Sequence, residues 1–210
     1  MKVTKHEHSC LQLTIADEHL IIDPGMFLTP FDFVGVVGVV ITHDHADHWT
    51  PEQLARIIEA SPDATIYAPA DVAAAAKDFT ITVVKDGDEA ELGPFSLKFF
   101  GKEHNAIHES VPVPENVGVL VNDELYYPGD SYTVPPVPVP TLAAPLGAPW
   151  LKIGEVMDFI LAVKPQRAFY AHDMTLSVAG KKMHVNRLTW ATEKNGGEFH
   201  VLEVGESLDL

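Results

Sequence analysis

The chain has 210 residues, 46% hydrophobic and 21% charged, a composition that supports one globular domain over residues 1–210 without disulfides or a structural metal. Its 14 Lys and Arg face 30 Asp and Glu, and the net charge of −16 argues against nucleic acid as a partner, because that binding rests on Lys and Arg contacts to phosphate. No apolar run approaches the ~18 residues of a membrane-spanning helix, and the start lacks the apolar stretch of a signal peptide, so no membrane partner and a cytoplasmic location are expected.

Leu11–Ile15 alternates apolar and polar residues, as a half-buried strand does. A second strand covers residues 18–23 and stops at the turn pair Pro24-Gly25. Residues 34–41 form a β-branched apolar run, the pattern of a strand buried on both faces, which delivers the chain into His43-Asp44-His45-Ala46-Asp47-His48. Thr50 as cap, Pro51 at the first helical position and Gln53 as the partner of a capping box then start a helix, with Leu54, Ile57 and Ile58 on one face. A strand at Thr65–Ala68 and a short Ala-rich helix at residues 71–79 follow. Residues 81–84, 89–92 and 96–101 read as strands of a meander, and residues 117–121 and 124–127 as a hairpin through Asn122-Asp123.

Between residues 133 and 149 the prolines exclude helix and central strand, leaving a surface connector or a wall of a site. A helix at residues 152–163 places Ile153, Val156, Met157, Ile160 and Val163 on one face, and Pro165 ends it. A strand at Arg167–Ala171 runs into His172-Asp173. The last helix, residues 181–194, stops at Asn195-Gly196-Gly197, and residues 199–204 close the chain as a strand. No tandem repeat is present, but the order strands, helix, strands, helix occurs twice. The lone cysteine, Cys10, excludes an internal disulfide and a CxxC metal site, and reads as a small buried hydrophobe.

The chemistry lies where strands end. Residues i and i+2 at a strand end point to the same side, so His43 and His45 can share one metal while Asp44 points away. Asp47 and His48 follow in the turn and can reach a second. His104, Asp130 in Gly129-Asp130-Ser131, and His172 each stand just past a predicted strand. Alone, each reads more readily as a structural polar residue. Together they supply two metals, with His43, His45 and His104 on one side, Asp47, His48 and His172 on the other, and Asp130 bridging.

The run HxHxDH resembles the signature of the metallo-β-lactamase superfamily, and Ile21-Ile22-Asp23-Pro24-Gly25, His104, Gly129-Asp130-Ser131 and His172 resemble its other motifs in order along nearly the whole chain. His8-Ser9-Cys10 and the compact length are similar to its lactonase-like branch, which includes ascorbate-6-phosphate lactonase. The resemblance implies a four-layer αββα sandwich with metals at one edge, Asp23 supporting the site from behind and His8 near the ions. Glu103-His104-Asn105-Ala106-Ile107-His108 offers two histidines for one motif. His104, first after the strand, is the expected ligand, and His108 is left to line the pocket.

Two divalent ions, zinc or manganese, suit a donor set of imidazole and carboxylate. The expected activity is hydrolysis of a small ester, lactone or phosphate-containing metabolite by a metal-activated hydroxide, with Asp47 catalytic as the group that orients the nucleophile. Asp23 would fix a ligand histidine's tautomer. A phosphodiesterase of the same fold and a non-catalytic metal-binding or sensing protein are the alternatives. Trp150 and Lys152 offer an aromatic wall and a cation to a substrate, or else core packing and a solvated helix start. Besides a small-molecule substrate no partner is indicated, and a homo-oligomer is left open.

Overall fold

Alternating side chains turn one face of β2 (Leu11–Ile15) and β3 (Glu18–Ile22) inward, and antiparallel pairing sets Leu11 opposite Ile22 and Leu13 opposite Leu20. In the computed structural model, which describes residues 1–210, this hairpin is the middle of a seven-stranded sheet. On one side lies β1 (Lys2–Lys5), antiparallel to β2; on the other, β4 (Val36–Val40), β5 (Thr65–Ala68) and β6 (Ile81–Val83) run parallel to β3. The second sheet repeats this build. Antiparallel β7 (Glu89–Leu92), β8 (Phe95–Phe100), β9 (Gly118–Val121) and β10 (Leu125–Tyr127) are followed by parallel β11 (Thr141–Pro145), β12 (Arg167–Ala171) and β13 (Glu198–His200).

The two sheets stack through a cluster of 20 buried residues, with Leu11, Leu20 and Val40 from one face meeting Phe95, Phe99 and Phe169 from the other. Helices α1 (Pro51–Ala60) and α2 (Ala70–Ala75) cover the outside of the first sheet, where Leu54, Ile57 and Val72 pack on Ile21, Val39 and Ile66. Helices α3 (Ile153–Val163) and α4 (Val178–Lys194) cover the second, where Val156, Ile160 and Leu188 pack on Leu142 and Tyr170. The layers are therefore αββα, as the resemblance implied.

Several expectations change. The meander forms without its first strand: β7 and β8 pair antiparallel and run on into β9, but β6 is the edge of the first sheet, parallel to β5. Its local alternation is the same whichever sheet receives it. The Pro-rich stretch holds a fully buried central strand, β11. Leu146 donates its N–H to β12 at Ala171 and Thr141 donates to Glu124 on the β10 side, so the nitrogen of Pro145 faces a position past the end of β10, where no ladder bond is lost. The Ala-rich helix ends at Ala75, and Phe79 turns back to pack with Ile81 on the helical face of the first sheet. Helix α4 starts earlier than expected, because Ser177 caps it by accepting from Gly180 N–H. Thr50 caps α1 as expected, but the Gln53 amide donates to Leu28 O at 2.7 Å, so the box is half made. The last predicted strand stops at His200, and the end of the chain returns to the first sheet as β14 (Ser207–Asp209), paired with the unpredicted β1.

One buried ion cluster ties these parts together. Lys5, fully buried at the end of β1, reaches Asp173 Oδ1 at 3.1 Å, while Lys181 of α4 holds Asp173 Oδ2 at 2.9 Å and Glu203 at 2.8 Å. Burial disfavours the charged form of Asp173, yet Lys5 and Lys181 keep its carboxyl below the usual range. Asp173→Asn leaves the Lys5 ammonium buried without its partner, a loss of about 3–5 kcal/mol at neutral pH that urea unfolding of chelator-treated protein will read. A depressed carboxyl stabilises above its unfolded-state pKa and loses that contribution in acid. The gap between wild type and variant therefore closes as pH falls below about 4.

Candidate metal centre

Strands β1, β3, β4, β8, β10 and β12 deliver His8, Asp23, His43, His104, Asp130 and His172 just beyond their carboxyl ends. Within each sheet these strands point the same way, so the residues collect at one edge of the sandwich, where open α/β sheets place their sites. The ladder ends there with His43 paired against Asn116. After His43 the chain folds into a tight turn, with His48 N–H and Trp49 N–H both donating to His45 O. Asp44 points away and accepts from the Trp49 indole at 3.0 Å.

Asp23 organises the base of the cluster. Its carboxylate accepts Thr42 N–H at 2.8 Å, Thr42 Oγ1–H at 2.7 Å and His48 Nδ1–H at 2.6 Å. The Thr42 hydroxyl, having spent its hydrogen, accepts from His43 Nδ1–H at 3.0 Å. His172 Nδ1–H donates to Gly147 O at 2.7 Å, and His104 Nδ1–H to Asn105 O. Four imidazoles thus commit Nδ1–H to an oxygen and turn Nε2 inward, the atom that a bound cation can take in place of a proton. Glycine at 25 is required by the close approach behind them: a Cβ there would stand 1.9 Å from Asp47 O.

Those inward atoms meet. His48 Nε2 lies 3.2 Å from Asp130 Oδ1, and His104 and His172 Nε2 lie 3.3 and 3.2 Å from Asp130 Oδ2. His172 Nε2 is also 3.4 Å from Asp47 Oδ2. His43 Nε2 and His45 Nδ1 stand 3.0 Å apart, a gap that one proton or one cation can bridge. The Nε2 atoms of His48, His104 and His172, with Asp130 Oδ1, are buried and lack a hydrogen-bond partner. Convergent unpartnered nitrogen and oxygen donors of this kind fit a divalent cation.

The groups that could hold an ion are His43, His45 and His104; His43, His48 and Asp130; and His8, Asp47 and His172. The first matches the expected division. In the last, His8 stands where His48 was expected, because His48 Nε2 is 3.9 Å from Asp47 Oδ2 and aims at Asp130 instead. Trp150 is buried and donates its indole N–H to Asp130 Oδ2 at 2.7 Å, so it holds the carboxylate from behind and is not an open wall. His108 is exposed and bonded to Ser110, and Lys152 is exposed and paired with Glu155; neither joins the cluster. Asn116, unremarked in the sequence, fixes the Asp130 turn by accepting Asp130 N–H at 3.0 Å and donating to Pro128 O at 2.9 Å. Ser9, which donates to Asp47 O at 2.7 Å, also carries no signal beyond its neighbour His8.

Burial disfavours every charge here. At His43 and His45 it wins, aided by neighbouring imidazoles, and both are held below the ordinary histidine range. At His172 the facing Asp130 and Asp47 outweigh burial and lift it to about 9; Asp130 and Asp23 do the same for His48. Asp130 and Asp47 are conversely held well below the carboxylate range against their burial, Asp130 by the charges of His172 and His48, and Asp47 by hydrogen bonds from His172 and His8.

The model of the beta-lactamase superfamily domain matches residues 2–172, from β1 to the last histidine of the cluster. The chain belongs to the beta-lactamase superfamily. It is 35% identical to Protein Rv0786c of Mycobacterium tuberculosis over 96% of this chain and 96% of that one. It is 24% identical to the UPF0173 metal-dependent hydrolase MJ1163 of Methanocaldococcus jannaschii, over 99% of this chain and 100% of that protein. Igni18, a metallo hydrolase from the archaeon Ignicoccus hospitalis, shares the fold with a TM-score of 0.75 at 18% identity, covering 99% of this chain and 97% of its own. In this superfamily member, α4, β13 and β14 lie beyond the matched segment.

Two substitutions test the geometry. Asp23→Asn removes the charge and one of the two oxygens that accept from Thr42 and His48, and should cost about 10–100-fold in metal affinity, measured by competition with a chromophoric chelator. His104→Ala should lower the metal bound per chain, read by elemental mass spectrometry, whereas His108→Ala should leave it at the wild-type level.

Proposed function

We propose that the protein is a metal-dependent hydrolase that uses two divalent ions, zinc or manganese, to cleave a small ester, lactone or phosphate-containing metabolite. The observation that carries this reading is the convergence of His48, His104 and His172 Nε2 with Asp130 Oδ1, all buried and without partners. The names of the Methanocaldococcus and Ignicoccus proteins, a metal-dependent hydrolase and a metallo hydrolase, agree with it.

His43, His45 and His104 would hold one ion, and Asp47, His48 and His172 the other, with Asp130 between them. Bound there, such ions supply Lewis acidity and bring the pKa of a water towards ~7. The chain's own part is positioning. Asp23, Thr42, Gly147 and Asn105 fix which nitrogen each histidine offers, and Trp150 pins Asp130. Asp47, 28% exposed, is the more open of the two carboxylates and the one placed to orient a nucleophile towards incoming substrate.

Exposed apolar side chains next to the cluster favour a compact, partly apolar molecule. Met26, whose N–H donates to Ala46 O, is 60% exposed, and Met174, whose N–H donates to His8, is 47% exposed. Ile107, three residues past His104, is 41% exposed. With a net charge of −16 over the chain, an uncharged lactone or ester suits these surroundings better than a polyanion.

The test is metal content by mass spectrometry, with assays on lactones, aryl esters and phosphodiesters before and after chelation and after return of zinc or manganese. Close to two ions per chain and chelator-reversible cleavage support the reading, and the substrate cleaved chooses between lactonase and phosphodiesterase chemistry. Bound metal without turnover on any of them would favour a binding or sensing protein. His48→Ala should keep its fold by circular dichroism and lose turnover by orders of magnitude.

A further inference from the structure

His8 is the odd histidine of the cluster. It is fully buried, and its backbone is left-handed, with φ 59°. Its ring lies 3.9 Å from that of His172 and edge-on to Phe27 at 4.8 Å. Its Nε2 is 3.1 Å from Asp47 Oδ2, which puts it with Asp47 and His172 in a group whose spacing would admit an ion. Spacing alone therefore reads His8 as a ligand.

The far side of the ring says otherwise. The backbone N–H of Met174 points at His8 Nδ1 from 3.1 Å. An amide N–H only donates, so Nδ1 must hold a lone pair, and the proton of the neutral imidazole sits on Nε2. His43, His48, His104 and His172 are arranged the opposite way, each spending Nδ1–H on an oxygen, which leaves Nε2 as the atom an ion can take. For His8 to bind an ion through Nε2 it would have to break the Met174 bond or lose its last proton.

We propose that His8 is a positioning residue for Asp47, donating Nε2–H to Oδ2, and is not a metal ligand. A carboxylate oxygen has two lone pairs. The His8 N–H takes one on Oδ2, leaving the other for the side shared with His172 Nε2, 3.4 Å away. The same short loop grips Asp47 and His172 twice more: Ser9 Oγ–H donates to Asp47 O at 2.7 Å, and His8 O accepts His172 N–H at 2.7 Å. Residues between β1 and β2 thus fix a carboxylate 39 positions away. The inference rests on the metal-dependent reading of the site.

The experiment uses the full chain labelled with 15N-histidine, metal-free and loaded with zinc, with long-range 1H–15N correlation to read each ring's tautomer and coordination. His8→Gln, which keeps an N–H donor, and His8→Ala assign the signal and are titrated with zinc against a chelator. The expected result is that His8 keeps a protonated, uncoordinated Nε2 in both states while other rings shift on zinc. Both variants should bind the wild-type number of zinc ions, with affinity down about 10–100-fold in His8→Ala and largely restored in His8→Gln. A zinc-coordinated His8 signal, or one ion fewer in both variants, overturns the proposal and leaves the hydrolase reading intact. Failure of wild type to bind zinc, with no ring shifting, overturns both. If His8→Ala does not fold, the wild-type spectra and His8→Gln decide alone.

Discussion

A histidine buried among other histidines has two nitrogens to satisfy and no water to do it. His8, His43, His48, His104 and His172 are all buried at one edge of the sandwich, and each meets the requirement on its outer nitrogen with a fixed protein group. That choice decides what the inner nitrogen offers. Where the outer partner is an oxygen, the inner nitrogen can offer its lone pair to an ion; where it is the Met174 amide, the inner nitrogen is a donor. The chemistry of the centre is thus set one shell out, by Asp23, Thr42, Gly147, Asn105 and Met174.

The sheets make this shell affordable. Both are built the same way, with antiparallel strands passing into parallel ones, and their shared core holds the six site-bearing strands at one edge. Backbone carbonyls left unpaired as the strands run out are then at hand as acceptors. The local backbone is bent to suit: His8, Asp23 and His172 all have positive φ, a conformation that non-glycine residues adopt at a cost and that a rigid surround must hold. The Lys5–Asp173–Lys181 cluster is part of that surround. It ties β1, which leads to His8, to the loop that follows His172 and to α4.

Legibility followed sequence distance. His43 to His48 stand in one turn, so their spacing was informative without any knowledge of the fold. The strands and helices with clear periodicity, β2, β5, β12 and α1 among them, were readable for the same reason. Asn122-Asp123 was a sound hairpin signal, and both residues take the positive φ that a tight two-residue turn needs. The Pro-rich segment was misread because a proline's effect depends on which way its nitrogen faces in the sheet, and that is set by neighbours it does not know. Strands β1 and β14 pair Lys2 with Asp209 across almost the whole chain, and neither is long enough to announce itself.

The sequence by itself determined the kinds of donor in this protein and the order in which the strands bring them, because those depend on residue identity and short spacing. Only the tertiary structure decided which donors meet. It turned His104 inward and left His108 in solvent, gave Trp150 to Asp130, and moved Lys152 away from the centre. It also set the roles of the ring nitrogens, so that His8 and His172 face the same carboxylate with Nδ1 accepting in one and donating in the other. The partners responsible are mostly backbone N–H and C=O groups. Every residue carries these alike, so no pattern of side chains along the chain could have named them.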